Sequence, residues 1–139
     1  MGDIDLDPAS CSFAQKIVQA KRYFTEEDDS LRPDVVWEGR IFLNPPYAAG
    51  VIDRFIEKLL SSTFEQAILL TNNNTDTRWF HSAAIASQSV CFTSGRINFY
   101  TEEIDKTLPT NGQSFFYFGE NIDLFCKIFS DVGLIMKVI

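Results

Sequence analysis

Short apolar runs, each closed by turn-forming residues and separated by stretches with helical spacing, recur along this chain of 139 residues. That alternation limits the fold more than any other feature, because strands and helices taken in turn build an α/β chain around a mostly parallel sheet. The runs Ile4 to Leu6, Arg40 to Leu43, Ala67 to Thr71, Ser89 to Thr93, Ser114 to Phe118 and Leu134 to Val138 read as strands. Most are continuously apolar, as expected of strands buried on both faces. Helical spacing appears in Ser12 to Ala20, Val51 to Leu60 and Asn121 to Asp131. A fourth helix is predicted from Thr75 or Asp76, either of which can cap it, to about Ser87. Thr101 to Gln113 holds charge, Pro109 and an Asn111, Gly112 turn signal, and reads as a surface loop. Little chain separates the first strand from the next, so the sheet is abbreviated on that side.

The length suits one domain over residues 1–139 with a single core. No run approaches the roughly eighteen apolar residues of a membrane span, and the opening lacks the order of a secretory signal, so a soluble, cytoplasmic protein is expected. Cys11, Cys91 and Cys126 match neither a disulfide framework nor a zinc signature and read as reduced core thiols. His81 is the only histidine, so no metal site and no Ser-His or Cys-His arrangement can be assembled around it.

Chemistry concentrates in Asn44, Pro45, Pro46 and Tyr47, directly after a predicted strand. The carboxyl edge of an open α/β sheet is where ligands bind. Two prolines fix φ and remove two N–H donors, leaving a stiff turn whose carbonyls are uncommitted. The Asn44 side-chain oxygen and the Pro45 carbonyl can together accept both hydrogens of an exocyclic amine, aiming its lone pair at an electrophilic methyl group. Tyr47 offers a face on which a base rotated out of a duplex can stack. A plain strand-ending turn with Tyr47 in the core is the bland alternative. Four specified residues in a row arise by chance in roughly one such chain in a thousand, which favours the chemical reading.

Asn-Pro-Pro-Tyr after a strand resembles the hallmark of amino-directed methyltransferases acting on DNA adenine. Other segments, in the same order, are similar to the compact phage and prophage adenine methyltransferases of the Dam type: Ile4 to Ser10, Tyr23 to Leu31, Trp37 to Tyr47, Ala67 to Phe80, Gly95 to Phe99 and Gly112 to Gly119. The resemblance implies a Rossmann-like class I methyltransferase domain, S-adenosylmethionine as cofactor, and methyl transfer to N6 of adenine in DNA. It implies cofactor contacts from Asp7, Pro8, Ala9 and Ser10, although no glycine follows Asp7 as in the wider methyltransferase pattern. Taken alone, these residues read more readily as a helix cap at Asp7 or a turn begun by Pro8. Asp29, Ser30 and Leu31 resemble the family's adenine pocket, with the acid accepting from the amino group and the apolar residue packing on the ring; the acidic run Glu26 to Asp29 can equally be a solvated loop.

Asn72, Asn73 and Asn74 end another strand on the same edge, and with Arg78 they are candidates for base and phosphate contacts, or for ordinary turn and surface residues. Trp79 and Phe80 read as helix packing. Family members carry a Thr-Pro segment ahead of the first strand that is implied to help hold the methionine end of the cofactor. This sequence opens at the strand, which implies weakened cofactor binding or an inactive binding module. A net charge of -7 opposes a polyanionic substrate. DNA binding then calls for a basic face drawn from Lys16, Lys21, Arg22, Arg78 and Arg96, or for a homo-oligomer or partner protein that supplies one. Methylation of a glutamine side-chain amide in protein, by the same grip on an NH2 group, is the enzymatic alternative.

Overall fold

The apolar runs pair into one seven-stranded sheet in the computed structural model, which describes residues 2–95 and 112–139. In chain order the elements are β1 (Leu6–Asp7), α1 (Gln15–Val18), β2 (Arg22–Tyr23), β3 (Arg40–Leu43), α2 (Val51–Ser61), β4 (Gln66–Asn72), α3 (Arg78–Ala86), β5 (Ser89–Thr93), β6 (Gln113–Phe118), α4 (Ile122–Phe129) and β7 (Gly133–Lys137). The sheet order is β2-β1-β3-β4-β6-β5-β7.

A mixed α/β chain was expected, but the sheet is not mostly parallel. The pairings β2–β1, β1–β3 and β3–β4 are parallel, whereas β4–β6, β6–β5 and β5–β7 are antiparallel and hold most of the paired residues. β6 and β7 run against the other five strands, and β6 inserts between β4 and β5. Strand direction was hidden because a strand buried on both faces reads as the same apolar run whichever way it points.

Side-chain alternation splits the core. Ile41, Leu43, Ala67, Leu69, Val90, Phe116 and Phe118 face α2 and α3, while Ile68, Phe115, Tyr117, Cys91 and Ile135 face α4. α2 buries Ile52, Phe55, Ile56 and Leu59, the stripe its spacing predicts. α3 begins later than expected, because Thr77 rather than Thr75 or Asp76 caps it, its Oγ1 accepting from the Phe80 N–H at 3.3 Å. Trp79 and Phe80 are buried as expected, and Phe80 meets the ring of Phe116 edge-on at 5.1 Å.

The first helix falls short of Ser12 to Ala20. α1 is one turn long, buries nothing and leaves Ile17 68% exposed, so no packing extends it. Gln19 at φ 54 ends it, while the Gln15 side chain accepts from the Ala20 N–H at 2.7 Å and competes for the backbone. β2 went unread in the sequence because its two residues are exposed and not apolar in pattern. Of the expected loop Thr101 to Gln113, only the last two residues are described, and Gln113 opens β6 rather than closing a loop. Most of Gly95 to Phe99 also lies outside the described residues. The three cysteines are free; Cys91 is buried and Cys126 partly so, but Cys11 is exposed at a turn rather than in the core.

Candidate active site

Four parallel neighbours, β2, β1, β3 and β4, bring their carboxyl ends to one edge of the sheet. Segments leaving those ends enclose a cavity of about 650 Å³. Pro8, Ala9 and Ser10 follow β1; Thr25, Glu26, Asp29, Ser30 and Leu31 follow β2; Asn44 to Ala48 follow β3; Asn72 ends β4; Val51, Arg54 and Phe55 come from α2. The antiparallel half of the sheet contributes no lining residue.

The tetrapeptide bends sharply from interior to rim. Pro45 is fully buried and anchors the turn, Asn44 is half-buried, and Pro46 and Tyr47 are open to solvent. Neither the Asn44 amide nor the Pro45 carbonyl is engaged in a hydrogen bond among the described residues, so both acceptors remain available. Tyr47 is not a core residue: it is 38% exposed, its ring lies 6.3 Å from that of Trp79, and its hydroxyl accepts from the Asn72 N–H at 2.6 Å. Partial burial pushes the phenol up to about 12.

The opposite wall is tied by main-chain carbonyls. Ser30 Oγ donates to the Pro8 carbonyl at 2.6 Å, joining the turn after β1 to the loop after β2. The Ser30 carbonyl accepts from Trp37 Nε1 at 3.1 Å and from Lys58 Nζ at 2.8 Å, and Lys58 also donates to the Arg32 carbonyl at 2.8 Å. Asp29 adopts φ 50, which an aspartate tolerates better than most side chains, and its Oδ1 accepts from the Leu31 N–H at 3.2 Å. Its second carboxylate oxygen has no hydrogen bond among the described residues.

Asp7 is absent from the lining. It is 2% exposed, and its carboxylate accepts from the Ala9 N–H at 3.3 Å and from Gln15 Nε2 at 2.9 Å. Burial pushes its carboxyl up to about 6 despite those bonds. Its observed role is to brace the turn, and it does not cap a helix.

Of the expected substrate contacts, the structure brings only Asn72 to the cavity. Asn73 is taken up by the Ser114 hydroxyl, and the Asn74 carbonyl accepts from Thr77 Oγ1. Arg78 lines a separate cavity of about 330 Å³ between α2 and α3, with Asp53 and Glu57. Nor do the cations expected to form a basic face gather here. Lys21 pairs with Asp5 at the amino edge of the sheet at 3.2 Å, Arg22 lies over the Phe24 ring, Lys16 lies over Phe13, and Arg96 falls outside the described residues. Sequence reasoning missed Thr25, Glu26, Ala48, Val51, Arg54 and Phe55. The last three stand at i, i+3 and i+4 in the helix after the tetrapeptide, a spacing that could have flagged them.

A family model described as DNA N-6-adenine-methyltransferase (Dam) matches residues 1–126. The chain belongs to the Dam family. The resemblance to Dam-type adenine methyltransferases therefore holds at the level of the family, and the match spans every residue that lines the Dam-family cavity. No curated protein matches the chain. Among the described residues of this Dam-family chain, no cluster of histidine, cysteine and carboxylate side chains is placed to hold a metal ion. No helix among them is long and apolar enough to cross a membrane.

Proposed function

We propose that this chain transfers a methyl group from S-adenosylmethionine to N6 of an adenine in DNA, with the base turned out of its stack into the cavity. The observation that carries the proposal is the pair of unengaged acceptors, the Asn44 amide and the Pro45 carbonyl, at one cavity with the turns Pro8–Ser10 and Asp29–Leu31. The parallel half of the sheet, with its ligand edge at the carboxyl ends, supports reading residues 1–139 as a single Rossmann-like class I methyltransferase domain.

The residues present fit the cofactor. A cavity of about 650 Å³ is within the usual range for nucleoside-sized ligands, and it combines apolar walls with a few polar groups. Asp29 has a carboxylate oxygen free to accept from an adenine amino group, Leu31 can pack on the ring, and Pro8, Ala9 and Ser10 face the remainder. When bound, S-adenosylmethionine supplies an electrophilic methyl group on a sulfonium centre. Asn44 and Pro45 accept the two N6 hydrogens, hold the amine's lone pair out of the ring's conjugation, and stabilise the positive charge that grows on nitrogen. A strong base is unnecessary, because the proton leaves an already cationic nitrogen for water. Tyr47, pinned through its hydroxyl, presents its ring to the base. Asn72, whose side-chain oxygen accepts from Gln113 Nε2, has its amide NH2 left for the base edge, with Asn73, Asn74 and Arg78 left to outer contacts with DNA.

Labelled methyl transfer to unmethylated DNA tests this. Asn44→Ala should cost on the order of a hundredfold or more in turnover, as the loss of one preorganised charge-stabilising group does, while calorimetry shows cofactor binding retained. Transfer undiminished in that variant overturns the mechanism. The acidic rim of Glu26 and Asp29, together with the net charge of -7, favours a second reading in which a protein glutamine amide is the acceptor. Chemical identification of the product, N6-methyladenine or methylglutamine, separates the two.

A further inference from the structure

β7 lies at the end of the sheet beyond β5, and its outer edge is unpaired among the described residues. Its side chains alternate. Ile135 turns toward α4 and joins Phe125 and Phe129, while Val132, Leu134, Met136 and Val138 fall on the opposite face. Leu134 and Met136 are 65% and 50% exposed, and Val132 and Val138 are exposed as well. Edge strands are usually guarded by proline, a bulge or an inward-pointing charge. Of the usual guards, which also include lysine on the edge strand, β7 carries only Lys137, its last residue. The strand also lies beyond residue 126, where the Dam match ends, so the chemistry shared by the family does not account for it.

We infer that β7 pairs edge to edge, antiparallel, with β7 of a second copy of this chain. Charge selects the occupant and the register. With Leu134 opposite its own symmetry mate, Lys137 and Met136 at the end of one β7 come to the second copy's Asp131 and Val132, which lie in the turn from Phe129 that leads into its β7. Two-fold symmetry repeats both matches. Sliding the strands so that Lys137 faces Gly133 loses the charge match. Both ions are free to pair: Asp131 is exposed with no ion pair among the described residues, and Lys137 reaches only a fully exposed Asp123 at 3.8 Å. In this register the two apolar strips merge into one surface on the face away from α4, and the open backbone groups of both edges are satisfied.

Sedimentation of the whole chain across the micromolar range should show a concentration-dependent dimer. Leu134→Lys should leave a monomer with an unchanged circular dichroism spectrum, since the side chain it replaces is exposed. Asp131→Lys and Lys137→Asp should each weaken the dimer by roughly tenfold, because each places like charges opposite one another twice, and the double exchange should restore it. A chain that stays monomeric throughout overturns the inference. So does a dimer that survives Leu134→Lys, or a double exchange that fails to recover association.

Discussion

The Tyr47 hydroxyl accepts a 2.6 Å hydrogen bond from the Asn72 N–H, so the last residue of the tetrapeptide after β3 is pinned to the end of the neighbouring strand β4. Parallel pairing of β3 with β4, with Leu43 opposite Leu69, brings the two strand ends close enough for this bond. The aromatic face at the cavity rim is thereby held by the sheet itself rather than by a mobile loop.

Removing the hydroxyl should therefore matter less than removing the ring. Tyr47→Phe frees an N–H that water can reach, and is expected to cost about 1 kcal/mol or less in stability with most activity kept. Tyr47→Ala should lose roughly 1 to 3 kcal/mol of base binding, read with a fluorescent adenine analogue at the target position. Because burial pushes the phenol up to about 12, it stays neutral through alkaline conditions, and the rate should show no break near pH 10. Equal losses in the two variants would argue that the hydroxyl, not the ring, does the work.

Asp7 links stability to pH. Its carboxyl is pushed from 3.8 to about 6 by burial, against hydrogen bonds from Ser10, Ala9 and Gln15. A raised carboxyl binds its proton more tightly in the fold than in the unfolded chain. Its contribution is thus fully present below pH 3.8 and is lost as pH rises through about 6, a difference of roughly 3 kcal/mol. Asp5 works in the opposite sense and in a lower window, since the Arg40 backbone bond lowers it to about 2. Melting temperatures of the native chain minus those of Asp7→Asn, taken between about pH 4 and 7, should fall with pH. A flat difference would refute the assignment.

Lys58 holds the Asp29–Arg32 turn to α2 through two carbonyls and lies 5.4 Å over the Trp37 ring. Its hydrogen bonds go to the Ser30 carbonyl, which it shares with Trp37, and to the Arg32 carbonyl, and none goes to the tetrapeptide. Lys58→Met should raise the KM for S-adenosylmethionine several-fold with little change in kcat, since uniform binding is what a loosened wall loses. Lys58→Arg, which keeps the donors, should recover much of it. A matched fall in kcat would instead place Lys58 in the transfer step.

How far the sequence could be read depended on which interactions were local. β3 was legible to the residue, and α2 nearly so, because a continuous apolar run and an i, i+3, i+4 stripe each state their burial directly. The tetrapeptide was legible because its stiffness is covalent. Two features were not: the reversed direction of β6, which is set by where a distant segment returns, and β2, an exposed pair of residues whose only strand signal is its partner β1. Missing β2 hid Thr25 and Glu26, and the mutual tie between Ser30 and Pro8 could not be read across 22 residues.

Arg54 is the residue at which to test how this acidic chain meets an anion. It is the one cation among the residues lining the cavity, it is exposed, and it has no hydrogen bond or ion pair among the described residues, whereas Glu26 and Asp29 share its rim. Few phosphate contacts are then available near the base, so DNA affinity should be modest and only weakly salt-dependent unless dimerisation adds charge elsewhere. If Arg54 meets a phosphate beside the target base, Arg54→Ala should weaken binding across all sequences and lower the slope of log affinity against log salt by about 1. If it meets the carboxylate of the cofactor, calorimetry should show weaker S-adenosylmethionine binding with the DNA salt slope unchanged. A variant that alters neither would show that Arg54 plays no part in binding, and that the grip on DNA must come from surfaces away from the cavity.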